Sequence, residues 1–540
     1  MNKTYLFING EVITVNEADQ ITEAVAVKGN RIIAVGSNSK ILNLEDKNSN
    51  VIDLQNKTLI PGFVDSHLHI SMYGTNCTSI SCKGENINSL DDLFAEIKNR
   101  ANVAPKGSWI RAWGFNEQSI SEKRFPEKEE LDAITTNHPI IISRTCGHIS
   151  VVNNYALNLA NIDKNTPDPN GGKIGRNEDG ELSGLLVETA HMGMFDVASF
   201  SEEELTDAHK TASEHFAEKG ITSIHDATGY GLTNLKSLQK DSRNGVIKQR
   251  VYAMVGALND AQSVVKHMSH AGIFTGLGDE KFRLGPVKLF LDGSSSGPTV
   301  WTREPYTSDP NNYGIHYFSQ EEVDELFIPA HKNGWQITAH AQGDAAIDML
   351  LNTIEKAQRL YPRDDARHRI EHAGIASPDL IERMKKQNIT PTPNPAFLYE
   401  YGDGYVKNYG NRAHEMYPMG SYEKKGIRAA IASDCPVTDY NPLHGLHSAI
   451  TRKSSSGQVI GENKKTSLLQ AIRMYTLNGA YASFEEGIKG SIETGKLADL
   501  VLLDRSILSS DIDNLPDVQV EWTMIDGEKV FARPEKSVSF

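Results

Sequence analysis

Short apolar segments followed by helical stretches recur through the middle of this chain, and that alternation restricts the fold more than any other feature. "GFVDS", "ITSIHD", "QRVYAMV", "PVKLFLD", "WQITAH", "HRIEH", "NITPTP" and "IRAAIAS" make eight strand candidates. The helices between them are clearly punctuated. Ser201 to Glu204 reads as a capping box with Gly220 as a C-terminal stop, and "SQEEVDELFIPAHKNG" runs from a cap to Asn333-Gly334. Eight strands alternating with helices predict an α/β fold, a parallel (β/α)8 TIM barrel whose chemistry sits at the C-terminal strand ends.

The two ends differ from the middle. "YLFINGEVITV", "AVAVKGNRIIAVG" and "VEWTMIDGEKVFA" carry Asn9-Gly10, Gly29-Asn30 and Asp526-Gly527, all hairpin signals. An isolated hairpin is marginal in water, so both termini are expected to build one small β-sandwich together. The expected division is residues 1–58 and 485–540 for the sandwich and 59–484 for the barrel. Residues about 75–200 are too long for one strand-to-helix connection and hold strand candidates of their own, "SWIRAW" and "PIIIS". They read as an insertion after strand one that caps the barrel mouth.

A chain of 540 residues exceeds one ordinary core, which suits a large barrel with a smaller companion. A net charge of -15 argues against nucleic acid as a partner. With a mean hydropathy of -0.41 and only a short apolar run near the start, no membrane association is expected and a cytoplasmic location is. The partner expected is a small-molecule substrate, with a homodimer left open. Cys77, Cys82, Cys146 and Cys435 include no C-x-x-C pair, so neither a disulfide framework nor a thiolate zinc site is expected.

The strand ends carry the chemistry. Strand one ends in His67 and His69, strand five in His340, strand six in His372 and strand eight in Asp434. Strand four holds Lys288 between apolar neighbours, where alternation aims it opposite to Val287 and Leu289 and so into the barrel. A His-x-His pair alone is a common loop feature and a lone lysine commonly snorkels. Together, at the same ends of five strands, they point to a divalent metal site of imidazole and oxygen donors. One or two zinc ions suit it, with manganese or iron as substitutes. A buried lysine loses its proton readily, and its neutral amine can add carbon dioxide. The resulting carbamate on Lys288 would bridge two cations about 3.5–4 Å apart.

Two distractions are set aside. "HRIEH" matches the H-x-x-E-H of a zinc peptidase, which needs a helix, yet Pro362, Gly374 and Pro378 leave room only for a strand. Cys435 reads as packing, and His209, His215, His267 and His270 as solvated positions on helical faces.

These residues resemble the amidohydrolase superfamily, in the branch that includes N-substituted formamide deformylases. The resemblance runs from "VIDLQNKTLIPGFVDSHLH" through "GGKIGRNEDGELSGLLVE", "VKLFLDGS", "ITAHAQGD" and "RIEHAG" to "ASDCPV" and "GSIETGKLADLVLLD". It implies a metal-bearing barrel joined to a sandwich from both termini. It also implies His67, His69, His340, His372 and Asp434 as ligands, with Lys288 as the carboxylated bridge. Hydrolysis of a non-peptide carbon–nitrogen bond follows, in an N-substituted amide or formamide, with Asp434 as general base and then acid. A deaminase, a cyclic amide or ester hydrolase, and a non-catalytic binding protein on the same barrel are the alternatives. His148 and His225 are the candidate donors to a developing oxyanion. Trp113, Glu117, Glu188, Asp226, Asp292 and Trp301 are candidates to line the substrate pocket, where the aromatics suit an apolar or aromatic substituent.

Overall fold

The computed structural model describes residues 3–82, 87–145, 147–228, 231–256 and 261–534, with the side chains of 195–196, 231–233 and 261–262 outside the description. Cys146 lies outside the described residues; Cys77, Cys82 and Cys435 are free thiols. Two compact units divide the chain, one formed by residues 1–70 with 213–540 and the other by residues 71–212.

Near-continuous buried runs build the first unit's central sheet, as parallel strands covered on both faces require. They are β1 (Phe63–Leu68), β2 (Ile221–Asp226), β3 (Arg250–Val255), β4 (Phe282–Phe290), β5 (Ile337–Ala341), β6 (Arg369–His372) and β7 (Thr390–Thr392). Each pairs in parallel with the next, from β1 to β7.

The expected eighth strand fills the remaining gap without forming a regular ladder. Ala430 and Ala432 donate backbone N–H groups to Pro391 and Pro393 at 3.0 and 3.1 Å beside β7. On the other side Ser66 donates to Ile431 at 3.3 Å and Asp434 to His67 at 2.8 Å. The backbone of Met474 and Tyr475 intrudes lower down, accepting from Ile431 at 3.0 Å and from Val64 at 2.7 Å. The barrel is thus closed by a bonded segment that is not a strand.

Strands from both ends of the sequence share one six-stranded sheet, in which Thr58–Pro61 pairs antiparallel with Leu500–Leu503. A four-stranded sheet from the first 53 residues stacks on it through Phe7, Val25, Leu59, Leu500, Trp522 and Met524. Gly29-Asn30 and Asp526-Gly527 turn hairpins as expected. Asn9-Gly10 does not. Thr4–Ile8 and Glu11–Ile13 lie in different sheets, so this turn, with Asn9 at φ 54°, carries the chain across the sandwich core. Arg250 at the start of β3 ties barrel to sandwich through a two-pronged pair with Asp499, at 2.7 and 2.9 Å.

The second unit has its own six-stranded sheet. "SWIRAW" and "PIIIS" supply its parallel pair, Ile110–Phe115 and Ile140–Arg144. Among the described residues no helix is long and apolar enough to cross a membrane.

Candidate metal centre

β1 delivers His67 and His69, whose rings meet edge to face at 5.4 Å. β5 and β6 deliver His340 and His372, with ring centroids 4.5 Å apart, and His372 lies 4.7 Å from His67. Asp434 ends the closing segment. Its Oδ1 stands 3.4 Å from His67 Nε2 and 3.3 Å from His69 Nε2. One ligand atom from each of His67, His372 and Asp434 falls within 4.8 Å of the others.

Backbone conformation helps to aim these groups. His372 and Asp434 hold φ at 68° and 60°, in the left-handed region that side chains rarely occupy. Thr228, at φ 70°, presents its carbonyl to His69 Nδ1. Three strained positions around one cluster are the pattern of a site where geometry is imposed by its surroundings. Gly343 allows the loop after β5 to pass closely, since a Cβ there would fall 1.8 Å from the Trp301 carbonyl.

The ring nitrogens test whether a cation fits. His67 Nδ1 contacts Glu371 at 2.5 Å and His372 Nδ1 contacts the Asn394 side-chain oxygen at 2.8 Å. With His69 Nδ1 on Thr228, each of these three rings has one nitrogen held by a protein acceptor and turns Nε2 toward the cluster. Such outer acceptors fix the tautomer that leaves a lone pair for a metal. Burial, reinforced for His67 by Lys288 and for His372 by His340, holds both rings well below the usual histidine range, so they are neutral. His340 is oriented by the Gly293 carbonyl at 2.9 Å. Nitrogen and oxygen donors, neutral imidazoles and one carboxylate fit a divalent cation.

Lys288 reaches the interior, 2% exposed, with Nζ 3.0 Å from the Ala227 carbonyl and 3.3 Å from His67 Nε2. Burial pulls its ammonium down to about 8.

Asp292 Oδ1 stands 3.4 Å from His340 Nε2, and the other candidates have contacts of their own. His225 is fully buried inside the barrel, its Nδ1 accepting from Arg369 Nη1 at 2.9 Å and its ring against Tyr252. That contact commits one face of the ring to the protein interior. Asp226 accepts from the Ile70 N–H. The Asp292 carboxylate is consumed by the N–H groups of Trp301, Gln342 and Gly343 at 2.7–3.1 Å, which makes it the organiser of the loop after β5. Burial raises it to about 7. Trp301 is half-buried with its ring against His316. In the second unit, His148 Nδ1 meets Glu188 at 2.8 Å, Glu117 forms a two-pronged pair with Arg144, and Trp113 is half-buried. His209, expected to be solvated, is fully buried and bonded to Ser71 Oγ at 2.7 Å, a partner far away in sequence. Glu371 and Arg369, absent from the expected set, stand directly behind His67.

The amidohydrolase family profile matches residues 50–531 of the chain. An N-substituted formamide deformylase from Arthrobacter pascens is 28% identical over 536 residues, 97% of each chain. The protein LONG AFTER FAR-RED 3 from Arabidopsis thaliana is 30% identical over 522 residues, 92% of this chain and 86% of that one. Among solved structures, an uncharacterized metal-dependent hydrolase from Pyrococcus horikoshii OT3 shares the fold with a TM-score of 0.79, at 24% identity, over 95% of this chain and 99% of that one.

Proposed function

The chain belongs to the amidohydrolase family and is a hydrolytic enzyme, and from that premise we propose that it cleaves a carbon–nitrogen bond other than a peptide bond, in an N-substituted amide or formamide. The observation that carries this reading is the ring of inward-facing Nε2 atoms around Asp434 Oδ1, each ring fixed from behind by a protein acceptor. The resemblance to a deformylase over nearly the full length supports the amide or formamide substrate.

His67, His69, His340, His372 and Asp434 would hold one or two divalent cations, zinc first, with manganese or iron as substitutes. Lys288, buried beside His67, would carry the carbamate as a further anionic ligand. Bound cations supply what these side chains lack, acidifying a water toward a pKa of about 7 and polarising the scissile carbonyl. Asp434 does the proton work. Its carboxylate takes a proton as water attacks and returns it to the leaving amine nitrogen as the carbon–nitrogen bond breaks. No side-chain nucleophile is required, and Cys435, beside Asp434, is buried. His148 meets Glu188 through Nδ1, which in a neutral ring puts the proton on Nδ1 and leaves Nε2 an acceptor, so the neutral ring is no donor to a developing oxyanion. Of the substrate-pocket candidates, Asp292 and Trp301 belong to the barrel's unit and Trp113, Glu117 and Glu188 to residues 71–212.

The test is a panel assayed with zinc- or manganese-loaded protein: N-formyl and N-acyl amines, cyclic amides and esters, and amino-heterocycles. Turnover of the linear amides is expected. Activity confined to amino-heterocycles would replace the reading with deamination, and less than one equivalent of bound metal would favour a binding protein.

A further inference from the structure

Behind the ligand cluster lies a fully buried ion pair, Arg369 and Glu371, with both side chains at 0% exposure. A pair of this kind loses as much solvation as its attraction returns, so it is a poor device for stability. Its contacts run toward the site. Glu371 Oε1 accepts from Arg369 Nε at 2.8 Å and from Thr338 Oγ1 at 2.7 Å. Oε2 accepts from Arg369 Nη2 at 2.9 Å and meets His67 Nδ1 at 2.5 Å. Four contacts leave the carboxylate no other orientation. Arg369 Nη2 also donates to the Ser66 carbonyl at 2.6 Å, one residue before His67, so the same guanidinium anchors the backbone that carries the ring.

We propose that Arg369 and Glu371 are positioning residues that fix the tautomer and aim of His67 toward a divalent cation, and that the pair is kept for this purpose and not for stability. An ionised carboxylate can only accept, so the proton on His67 sits at Nδ1 and the lone pair at Nε2. Arg369 has no acceptor capacity and keeps Glu371 ionised. The proposal rests on His67 being a metal ligand, as the reading above holds.

The experiment compares Glu371→Gln, Glu371→Leu, Arg369→Met and the double variant Arg369→Met/Glu371→Leu with wild type. It follows zinc affinity by chelator competition, the visible spectrum of cobalt-loaded protein, and the melting temperature of the metal-free form. Glu371→Leu should bind zinc about 10–100-fold more weakly. Glu371→Gln, which keeps an acceptor oxygen but loses the charge, should fall between it and wild type, with an altered cobalt spectrum. The metal-free double variant should melt at or above the wild-type temperature. Unchanged zinc affinity and cobalt spectrum in Glu371→Gln and Glu371→Leu would overturn the proposal, as would a double variant whose only defect is a lowered melting temperature. Wild-type protein that takes up less than one equivalent of zinc would instead strike the metal reading itself, and the positioning role with it.

Discussion

β6 is flanked by two histidines with opposite fates, His368 just before its start and His372 at its end. At the base, His331 Nε2 donates to the Tyr361 carbonyl at 2.7 Å, so its Nδ1 accepts from His368 Nε2 at 2.8 Å. His368 Nδ1 in turn accepts from the Ile337 N–H at 3.1 Å. All four nitrogens are matched within the protein, and the pair is a closed unit. At the mouth, His67, His69 and His372 have Nδ1 held by a protein acceptor and turn Nε2 toward the cluster, where His67 Nε2 meets Lys288 Nζ at 3.3 Å rather than a structural partner at the barrel base. Burial and residue type are the same in both places. Hydrogen-bond closure is what separates a histidine that holds the fold from one that can hold a cation.

Substitutions at the two ends should therefore fail differently. Asp434→Asn at the mouth should lower kcat/KM by about 10²–10⁴-fold while circular dichroism and melting temperature stay near wild type. His67→Ala should lose bound metal together with turnover, and near-wild-type activity in either variant refutes the assignment. His368→Ala strands the Ile337 N–H and His331 Nδ1, so urea unfolding should show a loss of about 1–3 kcal/mol with metal stoichiometry intact. Metal loss from that variant would erase the contrast.

Acid gives a finer comparison. Burial holds the His331 and His368 rings below their ordinary range, so the unfolded chain binds more protons than the folded one once the pH drops under about 6.5. The pair's contribution is present above that pH and is lost as the pH falls below it. Metal-free wild type should lose stability between about pH 7.5 and about pH 5.5 more steeply than His368→Ala; equal slopes would show that the pair is not the sensor. The smallest effect belongs to exposed His267, whose ring is bonded to Ser263 one helical turn away. His267→Ala should change stability by no more than about 0.5 kcal/mol and leave metal content unaltered.

The barrel and its strand-end residues were legible because strand and helix alternation, caps and terminal positions are local signals. Glu371 was hidden by the same rule that exposed Lys288. In an extended strand neighbours face opposite sides, so an inward His372 implies an outward Glu371. The left-handed turn at His372 breaks that alternation and lets both face inward. The eighth strand lost its regular ladder to Met474 and Tyr475, some forty residues later in the chain, an intrusion that no local pattern announces. His225 shows the same limit: its position near the end of β2 was readable, but its commitment to Arg369, a residue of β6, was not.

The antiparallel partnership of Thr58–Pro61 with Leu500–Leu503 has a consequence for how the molecule is born. At about 5–20 residues per second, a ribosome needs on the order of tens of seconds between making the first of these strands and the second. Throughout that interval the early sheet presents an unpaired edge, the kind of surface that invites association with another chain. Synthesis, not only sequence, therefore sets when this protein becomes safe from its neighbours.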